Sequence, residues 1–268
     1  TLIPIVLSQT LYNDELWQGI CNTGKLQSPI NIDTSYNFVS DSEYIKIISR
    51  DYEPITNKPF SLKNNSTISL DYDKKSSLVV EINKVKYQYY LKEIQLHVPS
   101  EHTINGNQTE LELQLIHEKD SSKNVTDGKT DIVIISFLYK ATAAIDNALV
   151  NEWKFDSGNS NINVTKYYKP EKGFYHYVGS YTTEPCAENV NWIIMEDFSY
   201  MSPTQLKSIK AKIFNYFNTG NSRAVKPIRS RSLYYTPNAH LASNYIFYSI
   251  FSVILYSIIF ILNYRNRQ

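Results

Sequence analysis

Lys86 to Val98 reads KYQYYLKEIQLHV, a run rich in tyrosine, leucine, isoleucine and valine that contains neither glycine nor proline. Aromatic and β-branched side chains fit a pleated, half-buried backbone, so this segment is predicted to be a long β-strand. Strand-like runs recur on both sides of it, separated by turn residues. Tyr44 to Ile48, Ser66 to Tyr72 and Leu78 to Ile82 precede it, and Glu110 to His117, Ile132 to Leu138 and Val190 to Met195 follow. Their number and length predict one large mixed sheet in a fold dominated by β-structure. One helix is signalled clearly: Ser202 caps it, Pro203 takes its first position, and Leu206, Ile209, Ile213, Phe214 and Phe217 keep helical spacing until Thr219-Gly220. Its apolar face is expected to pack on the sheet.

The remaining composition agrees with this class. Tyrosine occurs 22 times and aromatics make up 13% of the 268 residues, which suits a β-rich chain better than a helical bundle. Neither an internal repeat nor a low-complexity linker interrupts residues 10–237, so that span is read as one domain, with 238–244 as a linker. A net charge of +1 gives no support to nucleic-acid binding.

Tyr245 to Leu262 (YIFYSIFSVILYSIIFIL) is uncharged, lacks a polar face and carries tyrosines near both ends. It is predicted to be a single transmembrane helix, with a glycolipid-anchor signal as the runner-up. Arg265 and Arg267 in the tail 263–268 place that tail in the cytosol and the domain in the exterior or lumen, a single-pass type I arrangement. A mitochondrial inner-membrane location is the alternative. Residues 1–9, with the apolar run Leu2 to Leu7, read as a signal-peptide remnant or as a loose N-terminal strand. Sequons at Asn64, Asn65, Asn107, Asn124 and Asn163 are candidate glycosylation sites, although a chain this rich in Asn, Ser and Thr carries such triplets by chance. Cys21 and Cys186 exclude a CxxC motif and leave either a long-range disulfide or two free thiols.

Several separated motifs then converge. Gly24 to Ile32 (GKLQSPINI), Gln95 to His102 (QLHVPSEH) followed by Thr103-Ile104-Asn105-Gly106, Glu112 to His117 (ELQLIH), and Tyr177 to Cys186 (YVGSYTTEPC) with Trp192 occur in this order, and Arg223, Pro227 and Arg231 continue the match. Together, over roughly residues 12–235, they resemble the α-class carbonic anhydrases. The resemblance implies a mostly antiparallel, twisted central sheet with peripheral helices, and a disulfide between Cys21 and Cys186. In that family three histidines hold a zinc ion, two of them at i and i+2 on one strand and the third on the neighbouring strand. The matching positions here are Gln95, His97 and Gln114.

Zinc favours imidazole nitrogen and thiolate sulfur over a neutral amide oxygen, so this set is expected to bind it poorly. Without zinc the bound hydroxide that attacks carbon dioxide is missing at neutral pH. Glu101, Thr182, Thr183 and Glu112 match outer residues that orient the hydroxide and steady the third histidine. They are expected to bond among themselves and with Gln95 and Gln114 in a closed polar pocket. His102 and His117 match structural histidines, His176 and His240 lie away from the site, Thr67 stands at the proton-shuttle position, and Tyr181 is expected to fill part of the pocket.

The resulting expectation is a pseudoenzyme without cofactor that serves as a structural or binding module. The alternative is a carbonate dehydratase that hydrates carbon dioxide at an altered zinc site. The basic stretch Arg223, Lys226, Arg229 and Arg231, with Lys207, Lys210 and Lys212 from the helix, is read either as a patch for acidic glycans, lipid headgroups or a protein partner, or as an ordinary solvated face.

Overall fold

The computed structural model describes residues 14–35, 45–63, 67–72, 76–120, 129–154, 160–166, 172–214 and 219–237. The expected signal remnant, linker, transmembrane helix and tail, the sequons at Asn64, Asn65 and Asn124, and His240 lie outside them. Among the described residues no helix is long and apolar enough to cross a membrane.

Eleven strands of the described residues form the central sheet. In chain order they are β1 (Ile45–Asp51), β2 (Ser61–Lys63), β3 (Thr67–Asp71), β4 (Ser77–Ile82), β5 (Val85–His97), β6 (Leu111–Lys119), β7 (Ile132–Lys140), β8 (Phe174–Ser180), β9 (Glu188–Met195), β10 (Ser199–Tyr200) and β11 (Tyr234–Thr236). The spatial order is β11-β8-β9-β7-β6-β5-β3-β2, with β4 on the first half of β5, β1 beyond β4, and β10 beside β7. Pairing is antiparallel except where β7 meets β9 and β10. Each strand run seen in the sequence is present, and β5 grew from the segment Lys86 to Val98. The strand β8 was not picked out, because Gly173 and Gly179 bracket an aromatic run that has no simple alternation.

Both faces of the sheet are covered. On one, Ile94 and Leu96 of β5, Leu113 and Leu115 of β6, and Ile135 and Phe137 of β7 join the larger core. The helix Pro203–Phe214 packs there through Leu206, Ile209 and Ile213. Its start is a reciprocal box: Ser202 Oγ accepts from Gln205 N at 3.1 Å, and Gln205 Oε1 accepts from Ser202 N at 3.2 Å. On the other face a smaller core of Ile30, Ile32, Ile134, Tyr177, Trp192 and Ile194 covers the β7–β9 side.

One irregularity sets which residues reach that second face. Ile116 pairs with Glu93 and His117 with Leu91, so Lys92 is an extra residue in β5. Before this bulge Tyr89 and Leu91 enter the larger core; after it Ile94 and Leu96 do. The change of parity turns Glu93, Gln95 and His97 together to the opposite face, as β-bulges beside functional sites do.

Cys21 and Cys186 are joined, with Cα atoms 5.1 Å apart, and bury against Trp17. The bridge closes a loop of 165 residues. On the chain-entropy account such closure stabilises a fold by about 5 kcal/mol. Replacing both cysteines by alanine is therefore expected to lower the free energy of unfolding by several kcal/mol in denaturant titrations, and an unchanged midpoint would contradict this.

Candidate functional site

The second face of β5 and β6 carries polar groups where the first carries leucines. Gln95 and Gln114 are cross-strand partners, and His97 pairs with Glu112. All four are buried, as are Glu93, Glu101, Thr182 and Ser136.

Glu112 is the hub. Its Oε2 accepts from the backbone N–H groups of Glu101 at 2.9 Å and His102 at 2.8 Å. Its Oε1 accepts from His102 Nδ1 at 2.8 Å, Ser136 Oγ at 2.8 Å and Gln114 Nε2 at 3.0 Å. Burial by itself would raise the pKa of this carboxyl, but the His102 ring and these hydrogen bonds outweigh it and hold it down at about 2. Glu101 accepts from Gln114 Nε2 at 2.8 Å, from Arg223 N at 3.0 Å and from the Thr182 hydroxyl. Its carboxyl is pushed up from the ordinary range, chiefly by burial, with His97 opposing and Glu112 adding to the shift.

His97 Nδ1 lies 2.9 Å from the Asn221 carbonyl and 3.3 Å from Glu101 Oε1. A carbonyl only accepts, so Nδ1 carries a proton and donates it there, which leaves Nε2 as the other ring nitrogen. That atom and Gln114 Oε1 are buried without a hydrogen-bond partner. Gln95 differs from expectation: its amide nitrogen donates to Glu93 Oε1 at 2.9 Å, rather than to Glu101 or Glu112. Among the described residues no three His, Cys, Asp or Glu side chains converge as a metal-binding group.

The other histidines are placed elsewhere. His102 sits between Glu112 and the Tyr177 hydroxyl, 2.7 Å from its Nε2, with its ring 4.7 Å from that of Trp192. His117 bonds the Tyr52 hydroxyl at 2.9 Å and Val133 O at 3.3 Å, and burial lowers its pKa to about 4. His176, in β8 beside Tyr234, is lowered to about 4 for the same reason. Thr67 is buried on β3, whose Ser69 pairs with Gln95. Tyr181 packs on the smaller core. Thr183 accepts from Cys186 N in the turn that the disulfide closes.

The basic stretch requires correction. Arg223 is only 1% exposed and donates to Ser28 O at 2.7 Å and Cys21 O at 2.9 Å. Arg231 is buried and donates to Ile228 O, Pro227 O and Val178 O. Both are internal ties, because a guanidinium fork matches clustered carbonyls well. Lys226 pairs with Asp14 at 2.8 Å, and Arg229 is exposed. Asn107 is exposed and Asn163 half-buried.

Asn221 went unread in the sequence. Its Oδ1 accepts from Val98 N, its Nδ2 donates to Leu96 O, and its carbonyl orients His97. Gly220 before it has φ +99°, and a Cβ there would lie 2.1 Å from Val98 O, so glycine is required. A Gly-Asn pair after a helix was the available signal. Ser136 and Ser69, lone polar residues in apolar strands, were the others.

With this geometry in view, the sequence relatives fall into one group. The family model described as eukaryotic-type carbonic anhydrase matches residues 12–237, and the chain belongs to that family. Dioscorin DB3S of Dioscorea polystachya is 30% identical over 222 residues, covering 80% of this chain and 78% of that protein. Alpha carbonic anhydrase 7 of Arabidopsis thaliana is 28% identical over 226 residues, covering 80% and 75%. The crystal structure of a halotolerant carbonic anhydrase from Dunaliella salina superposes with a TM-score of 0.66 at 22% identity, over 81% of this chain and 89% of that one, a likeness of fold.

The depressed pKa values of Glu112, His117 and His176 set the pH response. The unfolded histidines bind protons below pH 6.5 that the native ones refuse until about 4, and unfolded Glu112 does so from 4.5 down to about 2. Stability is therefore expected to fall as pH drops from 6.5 towards 2, with raised Glu101 working in the opposite sense. Glu112→Ala should cost about 3 to 5 kcal/mol near neutrality, because it leaves buried donors unpaired. A flat stability profile below pH 6.5, or a neutral substitution, would contradict the hub.

Proposed function

We propose that this chain is a membrane-anchored member of the family whose zinc site is degenerate, and that it works as a structural or binding module rather than as an enzyme. The observation that supports this most is the state of Gln114. Both of its amide hydrogens are engaged by Glu101 and Glu112, so only a neutral amide oxygen remains where the family resemblance calls for an imidazole. Gln95 likewise brings an amide, and His97 alone brings a ring nitrogen. One imidazole and two amide oxygens are a poor set for zinc. The hydrogen bonds of Glu101 and Glu112 and the Thr182 hydroxyl are consistent with the outer roles that the resemblance implies, so the departure that matters most for zinc is at the positions that would touch the ion.

The binding role is not assigned to the basic stretch, since Arg223 and Arg231 face inward. The anchor follows from Tyr245 to Leu262 and the two arginines after it.

Two measurements test these readings. Gln95→His with Gln114→His should create a tetrahedral zinc site with His97, at no more than about 1 to 3 kcal/mol of packing cost. Stopped-flow assays are expected to find slow carbon dioxide hydration in the double variant and none in the parent. Stoichiometric zinc with zinc-dependent turnover in the parent would establish the altered-site carbonate dehydratase instead. For topology, a tag after Gln268 should resist protease added outside intact cells or purified organelles. Its digestion, or a mature chain ending near Ser243 with a lipid attached, would overturn the single span.

A further inference from the structure

Away from the site around Glu112, a cleft of about 190 Å3 opens between the helix Pro203–Phe214 and the short helix Ala148–Glu152. Its floor is apolar, formed by buried Val150 and Ile209. Its walls are polar and exposed, with Asp146, Asn151 and Lys154 on one side and Thr204 and Ser208 on the other.

Buried Gln205 fixes the two walls to each other. Its Oε1 accepts from Asn147 N at 2.9 Å and Ser202 N at 3.2 Å, and its Nε2 donates to Asn147 O at 2.8 Å and Asn151 Oδ1 at 2.7 Å. Asn147 caps the short helix, and Ser202 Oγ donates to Asp146 Oδ1. A cleft held in this way is formed before a ligand arrives, which lowers the entropic cost of filling it. Because Gln205 occupies Asn151 Oδ1, Asn151 offers the cleft its amide hydrogens, while the hydroxyls of Thr204 and Ser208 both donate and accept.

The charges sit at opposite ends. Asp146 is tied through Ser202 to the start of the longer helix, whereas Lys154 comes eight residues later, past Asn151 and on the order of 10 Å further along at helical rise. A left-handed backbone with φ +43° sets Lys154 at that end. A simple anion would be repelled by Asp146, a simple cation would be repelled by Lys154, and an uncharged sugar would answer neither charge. A molecule with an ammonium at one end and a carboxylate at the other answers both. The volume lies below the about 300 to 1,000 Å3 of pockets that take drug-sized ligands, so the molecule is small. Two or three extended residues span about 7 to 10 Å.

We propose that this cleft is a receptor for a short zwitterionic peptide of two or three residues, with its α-ammonium on Asp146 and its α-carboxylate on Lys154. Its peptide groups bond Asn151, Thr204 and Ser208, and a small side chain covers Val150 and Ile209. The proposal is independent of whether Gln95, His97 and Gln114 hold zinc.

The test is isothermal titration of the full chain in detergent with di-alanine, tri-alanine, their N-acetylated and C-amidated forms, and free alanine. Saturable binding of di-alanine or tri-alanine is expected, with each blocked form and alanine about fivefold weaker, as loss of one partly exposed ion pair implies. Asp146→Asn keeps an acceptor for Ser202, and Lys154→Gly also relieves the left-handed backbone, so both variants should fold. Asp146→Asn should weaken the intact peptide by a similar factor and leave the N-acetylated form unchanged, and Lys154→Gly should do the same for the intact and the C-amidated forms. A variant that weakened every form alike would point to a merely structural effect and overturn the assignment of that terminus. No saturable binding of either peptide, or blocked peptides or alanine binding as tightly as the intact ones, would overturn the proposal; if a variant fails to fold, these titrations of the parent decide.

Discussion

A buried carboxylate, Glu112, holds the centre of this fold together. Its oxygens tie β6 to β7 through Ser136, to the turn after β5 through the backbone of Glu101 and His102, and through the His102 ring to Tyr177 and Trp192 on β8 and β9. Removing a charge from water is unfavourable by several kcal/mol, so such a group persists only where donors surround it. Here the donors come from three separate stretches of chain, Glu101-His102, Gln114 and Ser136. Each must be in register for the carboxylate to be tolerated, which makes Glu112 a specifier of the arrangement as well as a member of it.

Much of this was legible in the sequence, for identifiable reasons. The long tyrosine-rich strand and its neighbours were visible because β-branched and aromatic residues cluster between turn residues. The helix Pro203–Phe214 was visible because its cap and apolar spacing are local signals. Other features depend on contacts distant in sequence. The bulge at Lys92 leaves no local mark, yet it decides that Glu93, Gln95 and His97 face the site while Ile94 and Leu96 face the core. Arg223 and Arg231 looked like a surface charge run because composition does not show which carbonyls fold back to meet a guanidinium. Asn221 reaches Leu96 of β5 from 125 residues away.

On the proposed reading, the site combines the outer residues that the family resemblance implies with inner groups that are poor donors for zinc. Gln114 is bonded by the same two glutamates that the family resemblance assigns to outer roles, so the amide is accommodated rather than misplaced. The hub carboxylate itself is satisfied by protein donors. Fold and activity are separable on such a framework, and the chemistry at Gln95, His97 and Gln114 decides which functions remain.

The most direct test of the proposal that this centre does not hold zinc is anomalous scattering at the zinc edge from crystals of the unaltered protein grown with excess zinc. The account predicts no anomalous peak within bonding distance of His97 Nε2. A well-occupied tetrahedral peak bounded by Gln95, His97 and Gln114 would contradict it.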